Sequence, residues 1–369
     1  MSKQPPSADK DDRRLTLLLP DLGGGGAERV AVTLANAFVR KGHDVDVVIM
    51  RPGGVLRDLL DPAIRVVDLD APRIRDVPRR FAAYLRQSKP HAVLVFMWPL
   101  TVAAVLARSI ARTPTRLVLS EHSILSHEYQ GKGVQRLLRW TIRAFYARAQ
   151  ARTTVSEGSA KDLAQLSGLG RDAFEVVGNP LDLPNLPLRR SNEVEPLWGC
   201  PPGARILTIG SMKPEKNHPD LVRSLALLPN ARLMIVGEGQ GRPQLEALAK
   251  ELGISDRLIM PGFRIDPWPF LASADVFALS SRYEGFGLVL VEALHAGLRI
   301  VSTDCPFGPR EILADGKYGQ LVPVGDEQAM AAALAQALVE CPHPDRQRAR
   351  ARETAGSTSS DRYLQLMLG

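Results

Sequence analysis

The stretch SSRYEGFGLVLVEALHAG, Ser280 to Gly297, decides how the chain reads. Val276 to Leu279 just before it is an apolar run of strand length. Gly285 and Gly287 then supply a turn, and the apolar run beyond them reads as a buried helix. Glu284 falls in the turn and Glu292 on the helix, about two turns in. Both carboxylates are expected to face one cleft. A carboxylate inside LVLVEALHAG is costly to bury unless something donates to it, and paired sugar hydroxyls are natural donors.

Working outward, strands and helices alternate. Strands are expected at Arg205 to Ile209, Leu233 to Val236, Leu258 to Met260, Val276 to Leu279 and Arg299 to Ser302. Between and after them come helices at His218 to Leu228, Gly241 to Leu252, the Glu292 segment and Glu327 to Val339. The same alternation fills the first half. Its strands are Leu15 to Leu19, Val45 to Met50, Ile64 to Leu69, Ala92 to Phe96, Arg116 to Leu119 and Phe174 to Val177, with a strand end at Thr153 to Ser156. Its helices follow Gly26 and lie at Val77 to Gln87, Pro99 to Ala111, Val134 to Ala149 and Gly158 to Leu166. Continuously apolar strands alternating with helices mean parallel sheets covered on both faces. The expected fold is α/β, with two Rossmann-like doubly wound parallel-sheet domains facing a central cleft. Residues 15–180 form the first domain and 203–343 the second, joined by a proline-rich linker over 181–202. Residues 1–14 read as a disordered leader. The polar stretch 344–360 reads as partly helix-poor, and Asp361 to Leu368 as an amphipathic helix closing the tail, 344–369.

Composition narrows the class. At 369 residues two domains are the default, and the apolar share of 45% is ordinary for a globular protein. No apolar run is long enough to span a bilayer, and the polar N-terminus lacks a signal core, so a cytoplasmic location is expected. Three scattered cysteines without CxxC spacing argue against a disulfide framework or a zinc site and read as reduced thiols. The net charge of +7 sits in the first half: residues 1–185 hold 27 Lys and Arg against 19 Asp and Glu. Aromatics at 5% and the lack of any nucleic-acid motif argue against nucleic-acid binding.

Four further features carry chemistry. Gly23 to Gly26 lie between a strand and a helix start, where backbone without Cβ meets a favourable dipole for an anion. Gly210-Ser-Met-Lys213-Pro-Glu-Lys216 repeats that placement in the second domain, with the Lys216 ammonium at a helix entrance. His122 follows a strand, at the carboxyl edge of the first sheet, where open α/β sheets place their reactive groups. Asp44/Asp46 and Asp68/Asp70 have a DxD spacing but read as strand-end decoration facing solvent rather than a metal clamp. Lys132 to Arg152 carries Arg136, Arg139 and Arg143 without an acid, suited to an anionic membrane surface. Its apolar residues, Trp140 among them, are expected to pack on the sheet. Arg73, Arg75, Arg79 and Arg80 add a second basic segment.

Taken together these pieces resemble the family 4 retaining glycosyltransferases of the GT-B fold. GGGGAERVAVTLANAFVRKGHDVDVV, SEH, TVSEGSAKDL, GNPLD, IGSMKPEKNHPDLV, the Glu-x7-Glu segment and VSTDCPFGPREIL carry the likeness from Leu15 to about Val339. The last of these resembles enzymes that build bacterial polysaccharide, lipopolysaccharide and glycolipid chains.

The resemblance implies transfer from a nucleotide sugar, UDP- or GDP-linked, to a glycan or lipid-linked acceptor. Gly25 and Gly26 would approach the donor diphosphate beside Gly210 and Ser211, with Lys216 neutralising it. Glu292 would hold the ribose hydroxyls. Glu284, with Gly285, Phe286, Gly287 and Leu288, would hold the donor sugar. Phe263 and Arg264 would meet the base, and His122 the sugar near its reacting carbon. The reaction would be a front-face displacement with no metal or other cofactor. The basic first half would hold the acceptor at the inner face of the plasma membrane, and the terminal helix would return to the first domain. Ser211 stands where the family commonly has arginine; Lys213 or Arg310 would substitute. The competing readings are a nucleotide-sugar 2-epimerase, which lacks the Glu-x7-Glu pattern, and a non-catalytic nucleotide-sugar-binding homologue.

Overall fold

The computed structural model describes residues 13–188, 191–199, 203–356 and 358–369. The chain separates into two compact units, one running to Leu181 and taking the final helix, the other running from Asp182 to Gly356. The expected leader lies almost wholly outside the described residues, as does part of the proline-rich linker.

In the first unit the strands are β1 (Leu15–Leu19), β2 (Val45–Ile49), β3 (Arg65–Asp68), β4 (Ala92–Phe96), β5 (Arg116–Glu121), β6 (Ala151–Thr154) and β7 (Glu175–Val176). They form one sheet in the order β3-β2-β1-β4-β5-β6-β7, and each ladder is parallel. β1 and β4 are buried at every position, the mark of a sheet covered on both faces. The helices are α1 (Gly26–Arg40), α2 (Val77–Ser88), α3 (Leu100–Ala111), α4 (Leu125–Glu128), α5 (Lys132–Phe145) and α6 (Glu157–Ser167). Val30, Leu34 and Phe38 fall on the buried stripe of α1 at helical spacing.

The second unit carries β8 (Ala204–Ile209), β9 (Ala231–Val236), β10 (Leu258–Gly262), β11 (Val276–Leu279), β12 (Arg299–Thr303) and β13 (Gln320–Val322). Their order is β10-β9-β8-β11-β12-β13, again with parallel ladders. Its helices are α7 (His218–Ala226), α8 (Arg242–Glu251), α9 (Trp268–Ser273), α10 (Leu288–Ala296), α11 (Pro309–Ile312), α12 (Glu327–Val339) and α13 (Pro344–Thr354). α14 (Ser359–Leu368) belongs to the first unit, where Arg116 Nε donates to Leu366 O at 2.7 Å and Arg362 pairs with Glu175.

Three expectations need correction. Residues 344–354 are helical, although they lack an apolar period. Arginine, alanine and glutamate are good helix formers, and α13 is tied down by donors rather than by a greasy face. Arg350 donates to the Ile312 and Glu311 carbonyls, Gln347 to the Tyr318 carbonyl, and two arginines lie over the Tyr318 ring. Asp46 is not strand-end decoration: it is buried within β2, accepting from Arg65 and, at 2.6 Å, from the Tyr84 hydroxyl. The apolar residues of α5 do not all pack inward. Leu138, Ile142 and Phe145 are buried, whereas Val134, Leu137 and Trp140 are exposed, Trp140 at 64%. Among the described residues no helix is long and apolar enough to cross a membrane.

Candidate active site

In each sheet the strand order reverses beside the first strand, between β1 and β4 and between β8 and β11. Loops leaving the carboxyl ends of two such strands run to opposite faces and leave a crevice, the usual ligand position in open α/β sheets. Register explains what meets there in the second unit. Ile206 pairs with Val276 and Leu207 with Phe277, so the loop after β8 lies beside the loop after β11.

Hydrogen bonds join those two loops. Arg282 N donates to Glu215 O at 2.8 Å, and the Ser280 hydroxyl donates to Lys216 O at 2.8 Å. Asn217, in the left-handed region at φ 50°, turns the chain from Lys216 into α7. The result is an ion pair, with Lys216 Nζ 2.7 Å from Glu284 Oε1. The Ser281 hydroxyl donates to the same oxygen at 2.6 Å, and Glu284 is only 7% exposed. Ser281 was not foreseen: a serine beside a turn carries no sequence signal for a carboxylate partner.

The turn itself is buttressed from beyond β12. Gly308, at φ +90°, packs so closely on the Phe286 carbonyl that a Cβ there would overlap it. Thr303 Oγ1 donates to Ser281 O at 2.6 Å. The VSTDCPFGPREIL segment thus supports the Glu284 turn. Gly287, at φ +101°, precedes α10. Glu292 is the fifth residue of that helix, about one turn in rather than two, and is 4% exposed.

Arg310 is exposed and engaged by two aspartates, Asp304 and Asp315 at 3.3 Å, which hold its pKa above the usual arginine value. Lys213 is exposed and Ser211 half-buried in the loop after β8. The Gly210 backbone lies against the Lys216 stem, where a Cβ would sit in ordinary contact at 3.8 Å. Phe263 and Arg264 follow β10, the Arg264 guanidinium turned back on the Phe263 carbonyl at 3.0 Å.

In the first unit, Gly25 caps the start of α1, and Gly24 to Gly26 are exposed. The Glu28 carboxylate lies so close that a Cβ on Gly25 would collide with it. His122 stands one residue past β5, its ring stacked on Phe96 at 5.1 Å. Nε2 shares a 2.9 Å hydrogen bond with the Ser120 hydroxyl. Burial pushes its pKa down to about 3, so the ring is neutral at physiological pH. Beside it Glu121 is buried, and burial raises its carboxyl to about 7 against the bonds from Tyr146, Trp98 N and Thr101. Among the described residues no cluster of His, Cys, Asp and Glu has the geometry of a metal site.

Two family models match. One, described as Glycosyltransferase Family 4, covers residues 24–184, and the other, Glycosyl transferases group 1, covers residues 202–354. The chain belongs to the family 4 glycosyltransferases, and its two parallel-sheet α/β units are those of the GT-B fold. It is 28% identical, over 86% of its length and 88% of the relative, to the N-acetylgalactosamine-N,N'-diacetylbacillosaminyl-diphospho-undecaprenol 4-alpha-N-acetylgalactosaminyltransferase of Campylobacter jejuni. It is 26% identical to the lipopolysaccharide core biosynthesis glycosyltransferase LpsD of Rhizobium meliloti, over 84% of each chain. The Anabaena HepE protein, solved with UDP and glucose, shares the fold at TM-score 0.75 and 22% identity, over 96% of this chain and 97% of that one.

Proposed function

We propose that this glycosyltransferase moves a sugar from a UDP- or GDP-linked donor to a glycan or lipid-linked acceptor of the cell envelope, retaining anomeric configuration and using no metal. The observation that carries the reading is the Lys216–Glu284 pair, a half-buried ammonium on a buried carboxylate, at the reversal point of the second sheet, two residues of one motif set brought together by the fold. Lys216 has three donors, of which Glu284 takes one; the others serve a diphosphate. Glu284 with the backbone of Gly285 to Leu288 holds the donor sugar, Glu292 the ribose, and Phe263 and Arg264 the base. His122 contacts the sugar. Gly25, Gly26, Gly210 and Ser211 let the diphosphate approach, and Lys213 supplies the charge that Ser211 lacks. Arg310 is the weaker substitute, since its guanidinium is already shared by two carboxylates.

In the reaction the bond from the anomeric carbon to the diphosphate oxygen breaks. The acceptor oxygen bonds to that carbon on the same face, and its proton passes to the leaving diphosphate. The Campylobacter relative's name places its acceptor on diphospho-undecaprenol, which supports a lipid-linked acceptor here. A polyisoprenoid acceptor needs a membrane-facing surface. α5 supports such a surface, with Arg136, Arg139 and Arg143 beside exposed Leu137 and Trp140 on one helix, and the proposal sets this face against the inner surface of the membrane. Arg73, Arg75, Arg79 and Arg80 extend it.

A thermal-shift screen of UDP-, GDP- and ADP-sugars tests the reading, because a ligand bound only by the folded state raises apparent stability by mass action. One donor class is expected to stand out, with transfer persisting in excess EDTA. No shift with any nucleotide sugar overturns the proposal, and a strict divalent-metal requirement overturns its metal-free part.

A further inference from the structure

The helix that carries Glu292 is tied to the linker that leads into its own unit. Every residue of α10 from Leu290 to His295 is buried, and at about 100° per residue that covers the whole circumference. Packing of this kind is non-directional and leaves the roll of so short a helix weakly set. His295 supplies a directional contact. Its Nε2 lies 2.9 Å from the Pro184 carbonyl oxygen, and both residues belong to the second unit. A carbonyl only accepts, so Nε2 carries the proton and donates. The ring is 4% exposed and stands edge-on to Trp268 of α9, with centroids 5.5 Å apart.

We propose, on the reading of Glu292 as the ribose-holding residue, that His295 is a positioning residue: by holding Pro184 it fixes the roll of α10 and the aim of Glu292, and so couples the linker to the donor. His295 lies three residues past Glu292, roughly 60° around the axis and about 4.5 Å along it, so the two side chains leave neighbouring parts of one face. A helix rolls as a body, and a bond made by one of them constrains the other. The C-terminal end of α10 is stopped separately. Gly297, at φ +82°, sits so close to Pro344 of α13 that a Cβ there would collide with it. Burial lowers the pKa of the His295 ring, the bond to Pro184 opposes this, and Arg352 and Arg348 of α13 lower it further, so the ring is neutral. Its Nδ1 is buried without a partner, which leaves the Pro184 bond as the ring's hydrogen bond among the described residues. The coupling is reciprocal: a ligand that fixes Glu292 restrains the linker at Pro184, and a linker freed from His295 weakens the ligand.

The test follows amide hydrogen exchange of residues 181–188 in the full chain by mass spectrometry, with and without UDP, or GDP where the thermal-shift screen selects it. Calorimetry gives the affinity for the same nucleotide. In the unmodified protein the nucleotide is expected to slow exchange in this segment. His295→Gln, whose amide nitrogen stands near the place of Nε2 and still donates, is expected to keep the slowing and to bind within about twofold of the unmodified protein. His295→Leu removes the donor; it is expected to lose the slowing and to bind about tenfold more weakly, the worth of one hydrogen bond. If His295→Leu does not fold, His295→Asn serves with the same expectation, since its shorter amide matches Nδ1 and falls short of Pro184. A merely structural histidine would lower stability and leave the nucleotide's effect on the linker intact. That outcome in a folded variant, no slowing in the unmodified protein, or equal losses in the glutamine and leucine variants overturns the coupling. The ribose reading fails separately: undiminished nucleotide affinity in Glu292→Ala removes Glu292 from the ribose whatever the linker does, and binding of neither nucleotide overturns both.

Discussion

Lys216 Nζ and Glu284 Oε1 stand 2.7 Å apart, 68 residues apart in the chain, because β8 and β11 are sheet neighbours and release their loops at the same edge. The two side chains have unequal exposure, Lys216 keeping more contact with solvent than Glu284. Removing the lysine therefore strands a buried carboxylate with Ser281 as its remaining side-chain partner. Lys216→Ala is expected to lose about 2–3 kcal/mol in urea unfolding, below the roughly 3–5 kcal/mol of a fully buried pair because Lys216 is partly solvated. Adding Glu284→Gln to that variant should restore part of the loss. Calorimetry should separate the ligand roles: Lys216→Ala weakens UDP binding, whereas Glu284→Gln leaves it intact and abolishes transfer.

Glu292 is buried in α10, between apolar neighbours. Substitution by alanine removes a carboxylate without opening a large hole, so the fold is expected to survive by circular dichroism. Donor-dependent turnover should fall by two orders of magnitude or so, the scale of a lost charged hydrogen-bond partner to a ligand. A folded Glu292→Ala enzyme with full turnover would remove the ribose assignment.

The strands were legible because they are continuous apolar runs of Val, Ile and Leu, and the loops because glycine and proline punctuate them. Val276–Leu279 and Glu327–Val339 lie where the pattern places them. α13 was not legible, since its anchoring is donor-to-carbonyl bonding by Arg346, Arg350 and Gln347 onto residues 311 to 318, which no periodicity reports. The short strand β13 and the one-turn helix α11 are too brief to carry a period at all. Glu284, Lys216 and His122 were visible as motif residues, but their partners Ser281 and Ser120 were not. Those partners are small residues whose role exists only once the fold brings them together.

On the membrane-facing role proposed for it, the exposed face of α5 would make two separable contributions to vesicle binding. Arg136, Arg139 and Arg143 attract an anionic surface at roughly 1 kcal/mol each, through a field screened within about 8 Å at physiological salt. Trp140 and Leu137, at 64% and 52% exposure, add an insertion that salt does not weaken. Binding to phosphatidylglycerol vesicles by flotation should fall steeply with salt, and replacing the three arginines by glutamine should flatten that dependence. Trp140→Ala should weaken binding by a similar factor at every salt concentration. No binding at low salt would refute the membrane assignment of this face.

His122 and Glu121 are adjacent in sequence and push stability in opposite directions with pH. The His122 ring titrates near 3 rather than the ordinary 6.5, so between those values the unfolded chain binds a proton that the folded one refuses. Its contribution is complete above about 6.5 and is lost as pH falls through that window. Glu121, raised from 4.5 to about 7, does the reverse: its contribution is present below 4.5 and is lost as pH rises to 7. Comparing variants isolates one term. Between pH 7 and pH 5 the His122→Gln protein is expected to lose about 1–2 kcal/mol less stability than the unmodified protein in urea titrations, because the replacement cannot take the proton. An equal loss in both would mean that the ring binds its proton as readily folded as unfolded, and that His122 is not held neutral beside Phe96 and Ser120.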